Sequence, residues 1–299
     1  DAGVTRLYLK IDSTMRGSVA AQLAGALAAW RTRHAGAFVV LCPAYPAMGR
    51  TIRDGQVRVH GEPLEDSPAG TDPVTPVRTS DMQELVPGAA VVPALPADEL
   101  RAAILATSRD HAVVAVDAER PSDLETLAAV VRGLGPSVLP AGSAGLALPL
   151  AAAWHPAQGD AHPAAVPRIE GRILILVSSA NDVSKRQVRA CLEALGARAT
   201  AVTLGTADLE DLPPARAWAE RLVLAPACGV LIVQAPTERL TGGSSVEAGA
   251  RVAKGLAVAV ERLMSREPVG ALVLVGGDGA EATLTALGVE ALRVLRLIV

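Results

Sequence analysis

A chain of 299 residues, half of them apolar and 20% charged, has the balance of a globular protein large enough for two ordinary domains, not that of a disordered one. A net charge of −3 offers no basic surplus to a nucleic-acid partner, and six aromatic side chains (three Trp, two Tyr, one Phe) leave no stacking platform for single strands. The core must then be built from Val, Leu, Ile and Ala, which suits sheets covered by Ala-rich helices.

The elements follow in chain order. Leu7-Tyr8-Leu9 reads as a strand, followed by a Ser/Thr loop and an Ala-rich helix over 19–33. Residues 37–41 form a buried-type strand. Residues 43–79 then break the pattern with many Pro, Gly, Asp and Arg, an irregular segment of the kind that is usually functional or disordered. Within it Gln56–His60, followed by Gly61, looks like one arm of a small hairpin. Alternation resumes with a strand at 90–92, helix 97–107, strand 112–116, helix 121–133, strand 137–139 and a helix from Ala144. Residues 155–169 hold three prolines and two histidines and read as an interdomain linker. In the second half, strands at 172–177, 199–203, 229–233, 271–275 and 293–298 alternate with helices near 183–196, 213–224, 246–264 and 279–287. This is the pattern of a parallel sheet flanked by helices.

No uninterrupted apolar run reaches about 18 residues, and Asp1–Thr5 has neither the basic nor the apolar region of a leader, so a cytoplasmic protein with no membrane partner is expected. Cys42, Cys191 and Cys228 are far apart and show no metal or redox spacing, and all three are expected to be reduced and buried. The five histidines, His34, His60, His111, His155 and His162, also lack ligand spacing and are expected on the surface or in the linker, so no metal-ligating set is assigned.

Ligands of open parallel sheets sit beyond the carboxyl ends of the strands, and four polar loops fall there. Lys10-Ile11-Asp12-Ser13-Thr14-Met15-Arg16-Gly17 follows the first strand; Lys10 and Arg16 suit a carboxylate and Asp12 suits sugar hydroxyls, against a plain solvated, capped loop. Gly276-Gly277-Asp278-Gly279 follows the 271–275 run and opens a helix. Its unpaired N–H groups favour an anion, and Asp278 suits a cap, a metal-facing carboxylate or a general base. A tight turn with an N-cap is the alternative. Ser178, Ser179 and Ser184 surround a second such turn, which reads either as a phosphate contact or as a helix cap by Asn181 or Asp182. Gly142-Ser143-Ala144-Gly145 is explained by close packing. Arg50, Arg53 and Arg78 lie in the irregular segment, as solvated charges or as contacts to a carboxylate. There is no G-x-G-x-x-G, which weakens a nicotinamide reading, and no Walker A loop or nucleophile elbow.

The run Lys10–Ser18 (KIDSTMRGS) resembles a signature of the four-carbon acid sugar kinase family. Pro43-Ala44-Tyr45-Pro46 through Gly49-Arg50-Thr51, then Asp72-Pro73 with Pro76-Val77-Arg78-Thr79-Ser80, then Asp117-Ala118 and Gly142–Gly145, match further family stretches in order. The family's Gly-Ser and Thr of the first nucleotide loop are Ser178-Ser179 and Ser184 here, and its Gly-Gly-Asp-Thr is Gly276–Gly279. The family's N-terminal Asp-Asp-x-Thr-Gly-Ala and its C-terminal Gly-rich segment have no counterpart in the given sequence, so each domain is expected to lack a terminal part.

The resemblance implies an α/β protein of two domains, each a largely parallel sheet flanked by helices, with the ligand cleft between them. A sugar-acid domain would occupy 1–154, a linker 155–167 and a nucleotide domain 168–299. Lys10, Asp12, Ser13, Thr14, Arg16, Arg50 and Arg78 would face the sugar acid, and Ser178, Ser179, Ser184 and Gly276–Gly279 the nucleotide. ATP with Mg²⁺ would phosphorylate a hydroxyl of a tetronate-, threonate- or erythronate-type acid. Asp278 or Asp12 would take the proton. The partners are then small molecules, and a homodimer is allowed. The alternative is a binding paralogue that keeps both lobes without turnover.

Overall fold

The computed structural model describes residues 4–72, 74–154, 169–179, 181–209, 212–222, 229–236 and 245–292. Two compact units divide the chain, Asp1–Ala161 and His162–Val299. The expected linker at 155–167, the strand at 293–298 and Cys228 lie outside the described residues.

The first unit is built on five parallel strands: β1 (Leu9–Lys10), β2 (Phe38–Cys42), β6 (Ala89–Val92), β7 (Val113–Val116) and β8 (Val138–Gly142). Their spatial order is β1-β8-β2-β7-β6. Every residue of β2 and β8 is buried, as continuous apolar runs in the middle of a two-sided sheet should be. Helix α1 (Val19–Arg31) turns Val19, Leu23, Leu27 and Trp30 to the core, one stripe at helical spacing. Helices α3 (Ala97–Thr107), α4 (Pro121–Leu134) and α5 (Ala144–Trp154) cover the rest, and a single turn, α2 (Met82–Leu85), precedes β6.

The structure differs from the sequence reading at three places in this unit. β8 runs on through Pro140 to Gly142, whereas a proline reads as a strand end. β1 is two residues long and later than expected, because Leu7 stays 37% exposed and only Leu9 and Lys10 pair with β8. Most importantly, the segment 43–79 is largely ordered. It contains an antiparallel sheet of β3 (Arg50–Arg53), β4 (Gln56–Val59) and β5 (Glu62–Pro63), of which only the β4 arm was legible. Asp54 and Gly55, both at positive φ (52° and 74°), make the two-residue turn that a hairpin's twist demands. Ile52, Val57, Val59 and Leu64 anchor the sheet in the core.

The second unit alternates without interruption: β9 (Arg172–Val177), α6 (Asp182–Leu195), β10 (Ala199–Thr203), α7 (Leu212–Arg221), β11 (Val230–Gln234), α8 (Ser245–Arg266), β12 (Val269–Val275) and α9 (Gly277–Ala286). The four strands are parallel in the order β10-β11-β9-β12. Leu174, Leu176, Leu231 and Val233 pack with Leu256, Val260 and Leu263 of α8. Cys42 is buried and free, and burial pushes its thiol up to about 12. Cys191 is free but only half-buried, contrary to expectation, because it lies toward the end of the amphipathic helix α6. His34 and His111 are half-buried and His60 is exposed. Among the described residues no helix is long and apolar enough to cross a membrane, and no group of three or more His, Cys, Asp or Glu could hold a metal ion.

Candidate active site

The loop after β1 is tied to the sheet from below and to a distant loop from above. Ile11 N donates to Gly142 O at 2.8 Å, Tyr8 OH to Ser143 O at 2.6 Å and Ser143 Oγ to Ala44 O at 2.7 Å, so the carboxyl ends of β1, β8 and β2 are stitched together. A side chain at Gly142 or Gly145 would overlap the carbonyls of Cys42 and Ala44, which supports the close-packing reading of that turn. Above this base Asp12 and Arg16 form a two-pronged ion pair: Arg16 Nε donates to Asp12 Oδ2 at 2.9 Å and Nη2 to Asp12 Oδ1 at 3.3 Å. The buried Thr14 hydroxyl donates to the same Asp12 oxygen and accepts from Arg16 Nε at 3.0 Å. Met15, at φ 56° and buried, makes the turn that folds Arg16 back over Asp12.

A third residue completes the cluster from 56 positions away: Arg16 Nη1 donates to Asp72 Oδ2 at 3.0 Å. Asp72 Oδ1 accepts from Val74 N and Thr75 N at 3.0 and 2.8 Å. Burial pushes the Asp12 carboxyl up, but hydrogen bonds from Arg16 and Thr14 outweigh it and hold the group below its ordinary range. The Thr75 N–H does most to hold Asp72 below its ordinary range, with Val74 and Arg16 adding to it. Asp12 is therefore a carboxylate whose oxygens are already engaged, a poor arrangement for a general base.

The remaining residues expected at this site are placed as follows. Lys10 is exposed at the end of β1, with Nζ 2.9 Å from Ile11 O. Ser13 is half-buried in the same loop. Arg50 opens β3, donates from Nη1 to Met48 O and, among the described residues, has no partner for its buried Nε. Arg78 is exposed, with Nη1 3.5 Å from Gly70 O. No hydrogen bond or ion pair among the described residues joins Lys10, Ser13, Arg50 or Arg78 to the Asp12–Arg16–Asp72 cluster.

Two residues that matter to this architecture were not among the expected site residues. Asp72 is one. Asp117, directly after β7, is the other: its buried carboxylate accepts from Asp54 N at 2.9 Å and Gly55 N at 3.0 Å and fixes the β3–β4 turn to the parallel sheet. Burial raises the Asp117 pKa despite those two N–H groups. The signal for each was an Asp beside a turn, at Asp72-Pro73 and after the apolar run 113–116.

In the second unit the two small-residue loops lie side by side, because β9 and β12 are neighbours in register. Ser178 N donates to Val275 O at 2.9 Å and Ser178 Oγ to the same carbonyl at 3.2 Å. Any Cβ at Gly276 (φ 108°) or Gly279 would overlap Ser178 Oγ, so these two glycines serve packing. Gly277 alone has open space around it. Helix α9 begins at Gly277 with Gly276 as N-cap, which corrects the capping reading of Asp278: this residue is exposed in the first turn, two positions beyond the cap. Asn181, not Asp182, caps α6, its side chain accepting from Val183 N at 2.8 Å. Ser179 Oγ accepts from Asn181 N at 3.3 Å, and Ser184 is buried inside α6.

Residues 1–150 match a sugar-binding N-terminal domain and residues 174–299 a nucleotide-binding C-terminal domain. The chain is 38% identical to a D-threonate kinase of Bordetella bronchiseptica over 96% of its own length and 66% of the relative's. It is 31% identical to a D-threonate kinase of Cupriavidus necator, covering 97% of this chain and 70% of that one, and 26% identical to a 3-oxo-tetronate kinase of Burkholderia multivorans, covering 98% and 71%. A solved Salmonella typhimurium structure shares the fold with a TM-score of 0.74 at 23% identity, covering 96% of this chain and 71% of that one. The chain belongs to the four-carbon acid sugar kinase family. It spans about two thirds of the length of the curated relatives it matches.

Proposed function

We propose that the chain transfers the terminal phosphoryl group of ATP to a hydroxyl of a four-carbon sugar acid of the threonate, erythronate or 3-oxo-tetronate type. The observation that carries this is the joint match of a sugar-binding and a nucleotide-binding domain, each placing a polar loop at the carboxyl edge of its parallel sheet. Relatives named as kinases, matched along nearly the whole chain, support the reaction class.

On the sugar-acid side, Arg16 supplies charged N–H donors for the acid's carboxylate, and Lys10, Arg50 and Arg78 add positive charge around a cluster that holds two carboxylates. Ser13 and Thr14 suit hydroxyl contacts. Asp12 orients Arg16. On the nucleotide side, the first turn of α9 fits a phosphate: its N–H groups have no partner within the helix, and Gly277 leaves the approach open. Ser178 and Ser179 brace that turn from the end of β9, and Ser184, buried in α6, belongs to the same proposed nucleotide loop. Mg²⁺ bound with ATP would neutralise phosphate charge, and Asp278, exposed in the first turn of α9, would hold it or accept the hydroxyl proton. Phosphoryl transfer asks mostly for positioning and charge neutralisation, which this residue set provides. A homodimer is compatible with this reading, and light scattering of the purified chain decides it.

Calorimetric titration tests the two-site assignment. ATP and D-threonate should each bind with a stoichiometry of one per chain, and Gly277→Asp should abolish the first without changing the second. Loss of both, or of neither, contradicts the assignment.

A further inference from the structure

We propose that Asp72 is a positioning residue for the sugar-acid site: it holds the Arg16 guanidinium from outside the Lys10–Ser18 loop, so that the donors left over stand ready for the ligand. This rests on the sugar-acid reading given above.

A guanidinium carries five N–H groups. Nε–H goes to Asp12 and Thr14, one N–H of Nη2 to Asp12 and one N–H of Nη1 to Asp72. One N–H on each terminal nitrogen is left, on a side chain that is 43% exposed. Two N–H groups, one from each terminal nitrogen, can both reach a ligand carboxylate. Asp12 alone cannot fix that pair, because it sits four residues away on the same loop and moves with it.

Asp72 can, because its own loop is closed on itself. Leu64 N donates to Ser80 Oγ at 2.7 Å, Ser67 Oγ to Leu64 O at 2.6 Å and Val77 N to Ala69 O at 3.0 Å. Ser80 Oγ also donates to Glu65, and Gly70 lies so close to the Glu65 carbonyl that no side chain fits there. The work of the Asp72 carboxylate is divided: Oδ1 shapes its own turn through Val74 and Thr75, and Oδ2 reaches Arg16. A contact anchored in a second, internally hydrogen-bonded segment helps to hold a binding side chain within the narrow range a site requires.

The division of labour makes the proposal testable in one variant. In Asp72→Asn the amide oxygen still accepts from Val74 and Thr75, while the NH₂ cannot accept from Arg16. Its KM for D-threonate should rise about tenfold with kcat and the KM for ATP near wild type, since the lost contact is a charged hydrogen bond acting through Arg16. The Arg16 Nη protons, followed by NMR, should exchange slowly in the wild type and fast in the variant, because Asp72 holds Nη1. An unchanged Arg16 signal, or equal rises in the two KM values, overturns the proposal. So does a normal Asp72→Asn beside an impaired Asp72→Ala, which would leave Asp72 only its turn. If the wild type binds no sugar acid, the functional reading fails, and the Arg16 signal still decides whether Asp72 holds the guanidinium.

Discussion

Ser178 is the atomic floor beneath Gly279: a Cβ built on that buried glycine of α9 would overlap both the Oγ and the Cβ of Ser178 at the end of β9. The contact sets how closely the helix approaches the neighbouring strand, and with it the height of the first α9 turn. Gly279→Ala should therefore destabilise the second unit by about 1–3 kcal/mol, the usual cost of overpacking, and lower its thermal midpoint. Adding Ser178→Gly, which removes both opposing atoms, should recover most of the loss. Additive losses in the double variant would show that the two residues do not press on each other.

Asp278 should separate chemistry from architecture. It lies exposed beyond the N-cap Gly276, so Asp278→Asn removes a charge without removing a cap. Its stability should fall by no more than about 0.3–1 kcal/mol, the scale of one charge near a helix N-terminus. Turnover should drop by about 10²-fold, as for other positioned acid–base groups. Steady-state kinetics beside a melting curve checks both, and normal turnover would remove Asp278 from the catalytic set.

Arg16 carries the ligand-facing charge in this account. Arg16→Ala should weaken D-threonate binding about ten- to a hundredfold while leaving ATP affinity in place, as expected for one charged hydrogen-bonding partner. Arg16→Lys should recover little, because an ammonium cannot span Asp12, Asp72 and a carboxylate at once. Equal losses for both ligands would mean that Arg16 supports folding instead.

The same cluster predicts acid sensitivity. Asp12 and Asp72 both titrate below their ordinary value of 3.8 in the folded chain. Their contribution to stability is complete above that value and is lost as the pH falls through the lower folded values. Chemical denaturation between about pH 2 and pH 5 should show stability rising with pH, with a smaller rise in Asp12→Asn. An identical pH slope in the variant would show that the cluster contributes nothing there.

Much of this was legible in the residues, and the misses have physical causes. The alternation of apolar runs with Ala-rich stretches maps onto both parallel sheets, whose strands β2 and β8 are buried throughout while the edge strands β10 and β12 keep partly exposed residues. The hairpin sheet was hidden because β3, β4 and β5 are short and rich in Arg, so turn chemistry at Asp54-Gly55 outweighs any apolar pattern. β8 hid behind Pro140. Lys10–Ser18 stood out as a polar run after a strand. Asp72 did not, because its partner Arg16 is 56 residues away and only the folded chain brings them together. Asp278 looked like a cap because a glycine pair precedes it, and only the backbone shows the helix starting before it.

The most direct test of the central claim is ADP release coupled to a spectrophotometric readout. The purified chain should be supplied with ATP and Mg²⁺ and offered D-threonate, L-threonate, D-erythronate, L-erythronate and 3-oxo-tetronate in turn. ADP release should saturate with at least one of these acids and fall about 10²-fold in Asp278→Asn. A rate no higher with any acid than with ATP alone, in a chain shown by calorimetry to bind both ligands, would contradict it.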